Sequence, residues 1–252
     1  MTSRTLALSL LLLSPLTGCG PRNVETGNYR AVLKLPGGEL PFGLELMREG
    51  ANTAAYLTVD DSGATADGRP AVGRRIKFER VIADGRTLKI LIRGDDSQIL
   101  ASSGGSGLEG EWVMRDAEHR EHRLSFAATR GANYRFFETP ATDNADISGR
   151  WSATFTSASG TETQIVDLAQ SHAEVGGRMS LSGNASRRLT GEVHNDDVYL
   201  SSFDGAQAFL YKAAVLKDGT LRGEFWSATG ERGRWTARHE PPTPPDNQPT
   251  ES

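Results

Sequence analysis

One short phrase occurs twice in this chain, and it limits the fold more than any other feature. Gly107-Leu-Glu-Gly-Glu-Trp112 and Gly219-Thr-Leu-Arg-Gly-Glu-Phe-Trp226 share a Leu-x-Gly-Glu-aromatic core. Leu108, Gly110, Glu111 and Trp112 correspond to Leu221, Gly223, Glu224 and Phe225. A second echo lies upstream, where Gly27-Asn-Tyr29-Arg30 matches Gly149-Arg-Trp151-Ser152. Offsets of 113 and 122 positions are close enough to indicate two copies of one unit, the first with longer insertions. So long a period means duplicated domains, not a solenoid of short repeats.

Within each copy the apolar residues alternate, and Gly, Asp-Gly and Asn-Asp punctuate them, which is the pattern of half-buried strands and tight turns. Residues 28–138 form the first unit, with eight expected strands at 29–35, 40–47, 54–59, 74–82, 87–92, 98–101, 108–114 and 123–129. Ile76, Phe78 and Ile82 are expected inward on the fourth. Asp60 begins a loop that runs to Gly73, and Ser102 to Gly107 reads as a flexible loop. Residues 147–239 form the second unit, again with eight strands at regular short spacing. No stretch carries a convincing helical period. The expected fold is all-β: two tandem eight-stranded, up-and-down, barrel-like (calycin-like) repeats. Closure would remove the sheet edges that an open meander leaves exposed. Residues 240–252 hold five prolines and no core-forming residue, and are expected to be a disordered tail.

The N-terminus carries Arg4 and an apolar run from Leu6 to Leu13, too short to span a bilayer and of signal-peptide form. Leu16-Thr-Gly-Cys19 follows and resembles the lipobox of bacterial lipoproteins. The resemblance implies a signal peptide over residues 1–18, lipidation of Cys19 and a tether over residues 19–27. It also implies a membrane anchor facing the periplasm, and Gly20 after the cysteine favours the outer membrane. Cys19 is the one cysteine, so the chain can make no internal disulfide.

Leu35-Pro-Gly-Gly-Glu-Leu-Pro-Phe-Gly-Leu-Glu-Leu46, Tyr199 to Lys212 and Asp218 to Trp226 together resemble the N-terminal β-barrel region of lipid-anchored, TlpA-like (AhpC/TSA-type) redoxin proteins. The chain carries no Cys-x-x-Cys and ends fourteen residues after Arg238, where the thioredoxin domain would start. The resemblance therefore implies a partner and no redox centre: an accessory to a separate thioredoxin-like envelope protein.

Composition excludes some chemistry. A net charge of −4 is the wrong sign for a nucleic-acid surface. There is no Gly-x-Ser-x-Gly elbow and no phosphate-binding Gly-Lys-Ser/Thr loop. Asp116, Glu118, His119, Glu121 and His122 are the densest set of metal-ligand types, but they read as a charged hairpin turn. No metal, no cofactor and no catalytic residue is expected, and the chain reads as a non-catalytic binding module. The aromatics of the second unit are the better candidates. Trp151, Phe155, Tyr199, Phe209, Tyr211, Trp226 and Trp235 could line a pocket for a small apolar ligand, or fill the core, since a small barrel can do either. Phe225 and Trp226 are adjacent in a strand and must face opposite ways.

Overall fold

The computed structural model describes residues 23–59, 74–93, 96–105 and 107–240. The signal peptide, Cys19, residues 20–22 of the tether, the 60–73 loop and the tail beyond Glu240 lie outside the described residues. The first unit contains β1 (Gly27–Leu35), β2 (Gly38–Glu49), β3 (Asn52–Val59), β4 (Arg74–Lys77), β5 (Arg80–Asp84), β6 (Thr87–Arg93), β7 (Ser97–Gly104), β8 (Gly107–Arg115) and β9 (Glu121–Arg130). The second contains β10 (Gly149–Ser157), β11 (Gly160–Ser171), β12 (Glu174–Ser180), β13 (Ser186–His194), β14 (Asp197–Phe203), β15 (Ala208–Val215), β16 (Leu221–Ser227) and β17 (Arg232–His239). The second unit is a closed antiparallel barrel in chain order; the first is a curled sheet in the order β4-β3-β2-β1-β9-β8-β7-β6-β5.

The two echoes have structural causes. Gly27 and Gly149 open the first strand of each unit at φ +141° and +120°, a region that favours glycine. Two residues later Tyr29 and Trp151 are buried. The Leu-x-Gly-Glu-aromatic phrase occupies β8 and β16. Gly110 pairs across the sheet with Phe126, and Gly223 with Trp235. A Cβ on either glycine would overlap a neighbouring backbone carbonyl oxygen, that of Leu100 or of Lys212. The glycine thus lets strongly coiled neighbours approach while a large aromatic covers it.

Two expectations for the first unit need correcting. The single fourth strand divides at Phe78-Glu79 into β4, paired with β3, and β5, paired with β6, so among the described residues the sheet has nine strands and stays open. Phe78 turns inward and is buried, and its amide donates to the Ala55 carbonyl. Ile76 and Ile82 are exposed, not inward, because the break shifts both from the core-facing alternation. The second correction concerns Ser102 to Gly107. β7 continues to Gly104 and pairs with β8 as far as Gly107, so this is a tight hairpin with Ser103 buried.

The units share apolar surface. Ala208, Leu210 and Ala228 project from the outer wall of the closed barrel and are buried in the core of the first unit. Complete burial of Leu210 alone contributes about 1.5–3 kcal/mol. Trp226 points outward beside them and lies over Gly37 of the β1–β2 turn, where a Cβ would overlap the indole. The segment joining the units is docked, not loose. Arg135 donates to Thr190 Oγ1, to Ser201 Oγ (3.3 Å) and to the Pro41 carbonyl (3.3 Å). Glu192 accepts the amides of Phe136 and Phe137 at 2.9 and 3.0 Å.

Candidate ligand-binding site

The closed barrel is filled at one end and open at the other. Its interior contains Trp151, Val166, Leu168, Met179, Leu189, Leu200, Tyr211, Leu221, Trp235 and Ala237, which leave a void of about 10 Å³. That is at the lower limit for one water molecule. Above this plug, at the mouth formed by the β10–β11, β12–β13 and β16–β17 turns, lies a cup of about 600 Å³. Such a volume is in the range of small-molecule sites.

Strand register assembles the floor of the cup. Phe155 on β10 pairs with Trp235 on β17, and Tyr211 on β15 pairs with Phe225 on β16. Phe155 and Tyr211 each lie within 6.3 Å of the other three rings, centroid to centroid, in stacked and edge-on contacts. Phe209, two residues before Tyr211, extends the same face toward the rim, 6.2 Å from it. Met179 and Leu181 supply the opposite wall.

Among the described residues, Arg187 is the one cation that lines the cup. Its guanidinium carbon sits 3.5 Å from the centroid of the Phe209 ring, and Nη1 donates to the Tyr211 hydroxyl at 2.9 Å. No carboxylate lies within ion-pair distance of Arg187 among the described residues. Burial pushes the Tyr211 phenol up from its usual pKa, so the hydroxyl stays protonated at neutral pH. At the lip, Glu231 accepts the hydroxyls of Ser157 and Ser159, both at 2.8 Å, and Glu162 accepts the Gln164 amide at 3.2 Å.

Of the aromatics singled out from sequence, Phe155, Phe209 and Tyr211 line the cup; Trp151 and Trp235 belong to the plug beneath it. Tyr199 and Trp226 are on the outer wall. Tyr199 packs against Phe136 and Phe137 of the connecting segment, and Trp226 against the first unit, because each is out of phase with the inward residues of its strand. Sequence reasoning missed Arg187 and Met179, and of the adjacent pair it took Trp226 where Phe225 faces the cup. Arg187 was legible in principle: the inward alternation of Leu189, Gly191 and Val193 extends back to it once β13 is started two residues earlier.

The polar cluster near His122 has a local role. Asp116 accepts the amides of Glu118 and Arg120, the Arg120 side chain and His122 Nε2 at 2.8–3.1 Å. The His122 hydrogen bond, followed by those from Arg120, holds the Asp116 carboxyl well below the usual carboxylate range. This carboxylate caps the β8–β9 turn. Glu111, from the repeated phrase, pairs with Arg123 at 2.7 Å.

No protein-family profile and no curated protein matches the chain. Among solved structures, it is similar to a protein of unknown function from the DUF3598 family of Nostoc punctiforme, at 12% identity and a TM-score of 0.27, covering 84% of this chain and 94% of that one.

Proposed function

We propose that this protein is a lipid-anchored module of the bacterial cell envelope that binds a small molecule, without catalysis, in the cup of its closed barrel. One observation carries the reading. The two units share a strand plan, yet their mouths differ. In the first, Ser97 and Trp112 occupy the positions that Phe209 and Phe225 hold in the second. There the β14–β15 turn stoppers the mouth: Phe203 lies 5.6 Å from Trp112 and 4.4 Å from Phe42, ring to ring, and Ser97 Oγ donates to the Gly205 carbonyl. The cup of the second unit contains no such protein stopper among the described residues. The lipobox-like Leu16 to Cys19 supports the anchor; a lipidated Cys19 would put the module on the periplasmic side, with Gly20 favouring the outer membrane.

The test is native mass spectrometry of the protein from Gly20 onward, which keeps every described residue, secreted into the periplasm. A stable added mass, lost on denaturation and absent from an Ala185→Trp variant that fills the cup, is the expected result. A clean apo mass, together with no binding of apolar probes, would overturn it. Separately, Cys19→Ser is expected to move the full chain from the membrane fraction to the soluble periplasm.

A further inference from the structure

We propose that the ligand of this cup is an organic anion: a flat apolar body that lies on the aromatic floor, carrying one anionic group that binds Arg187 and Tyr211. The inference rests on the cup being the binding site and names the chemistry it selects.

Arg187 and Tyr211 both have hydrogen-bond donors to spare on the cup side. A guanidinium has five N–H donors. In Arg187 the partners are the Tyr211 hydroxyl and a 4.0 Å contact to Met179 Sδ, and both come from Nη1. The Nε–H and Nη2 hydrogens have no protein acceptor among the described residues. That edge is the one that meets a carboxylate, sulfonate or phosphate with two parallel hydrogen bonds. Tyr211 is buried and uses its oxygen to accept from Arg187. Its own hydroxyl hydrogen has no acceptor among the described residues. At the wall of the cup this hydrogen can donate to an anionic acceptor beside the guanidinium, a charge-assisted bond stronger than a neutral one.

The cation is also prepositioned. Stacking on Phe209 and the bond to Tyr211 hold Arg187 in one geometry, so little side-chain freedom remains to be lost on binding. Glu162 and Glu231 at the lip oppose an anion, but each is held by its own local donors. Their position restricts the ligand to one anionic group at the depth of Arg187, with its uncharged part toward the rim.

Two probes with one body separate the charge from the cup. Anilinonaphthalene sulfonate and uncharged N-phenylnaphthylamine differ by a sulfonate, and both brighten in an apolar site. The wild-type protein from Gly20 onward should bind the anion at least tenfold more tightly. Arg187→Gln should abolish that preference and leave the neutral probe within about twofold. Tyr211→Phe should weaken the anion several-fold, and Arg187→Lys should fall between wild type and Arg187→Gln, because it keeps the charge but not the fork. Glu231→Gln should strengthen the anion. If both probes bind equally, and both are lost in Ala185→Trp, the cup stands and the anion inference fails. Equal weakening of both probes by Arg187→Gln would likewise overturn it, making Arg187 part of the wall. If neither probe binds, the cup fails too. An unchanged thermal transition reports that each variant is folded.

Discussion

The two units follow one strand plan and differ in how each completes itself. In the second unit the fourth strand, β13, is continuous and pairs with both neighbours, so the barrel closes. In the first the corresponding segment breaks at Phe78-Glu79, and among the described residues each half pairs on one side only. An open sheet has an incomplete core. The outer wall of the closed barrel covers it with Ala208, Leu210, Ala228 and Phe203. The same contact stoppers the mouth of the first unit and leaves that of the second accessible. The first copy is completed by its neighbour's outer wall, while the second keeps an open cup.

This comparison can be broken most directly by separating the units. Residues 131–240 alone are expected to unfold cooperatively in denaturant, whereas residues 20–130 alone should show no cooperative transition and should bind apolar dyes; a cooperative transition in the isolated first unit would refute its dependence. Next in size, Leu210→Ala should cost about 2–5 kcal/mol. Leu210 lies outside its own barrel, so the loss should appear as destabilisation of the first unit or of a single joint transition, measured by chemical denaturation with probes in each unit. Phe203→Ala should cost less, about 2 kcal/mol for this partly exposed ring. It should also unstopper the first mouth and add a second, weaker binding event for the neutral probe in a titration.

The smallest effects lie at opposite ends of the pH scale, one in each unit. Asp116 titrates below its ordinary value in the folded protein. Its contribution is therefore present above about pH 4 and is lost as pH falls through the folded value; Asp116→Asn should flatten the acid side of the stability profile. Tyr211 titrates above its ordinary value. Its contribution is present below about pH 10 and lost as pH rises through the folded value, and Tyr211→Phe should flatten the alkaline side. Unfolding midpoints across pH would check both.

Much of this was legible in the chain. Alternation placed the strands of both units to within a few residues, because inward and outward side chains must alternate on a pleated sheet. The repeated Gly-Glu-aromatic phrase revealed the duplication, since close coiling at Gly110 and Gly223 permits no Cβ. The core of the second barrel was also readable: Trp151, Phe155, Phe209, Tyr211 and Trp235 share its inner phase. Arg187 was hidden by a strand boundary, and a charged residue at the end of a strand looks the same whether it faces water or a cup.

By itself, then, the sequence determined the all-β class, the two copies and the phase of each strand, because these depend on local alternation and on turn residues. Only the tertiary structure decided which barrel closes, that Tyr199 and Trp226 face the neighbouring segments and not the cup, and that one mouth is stoppered and the other open. Those outcomes depend on surfaces far apart in the chain. Nothing in the local pattern at Phe203 or Leu210 distinguishes a side chain facing solvent from one that completes a neighbour's core.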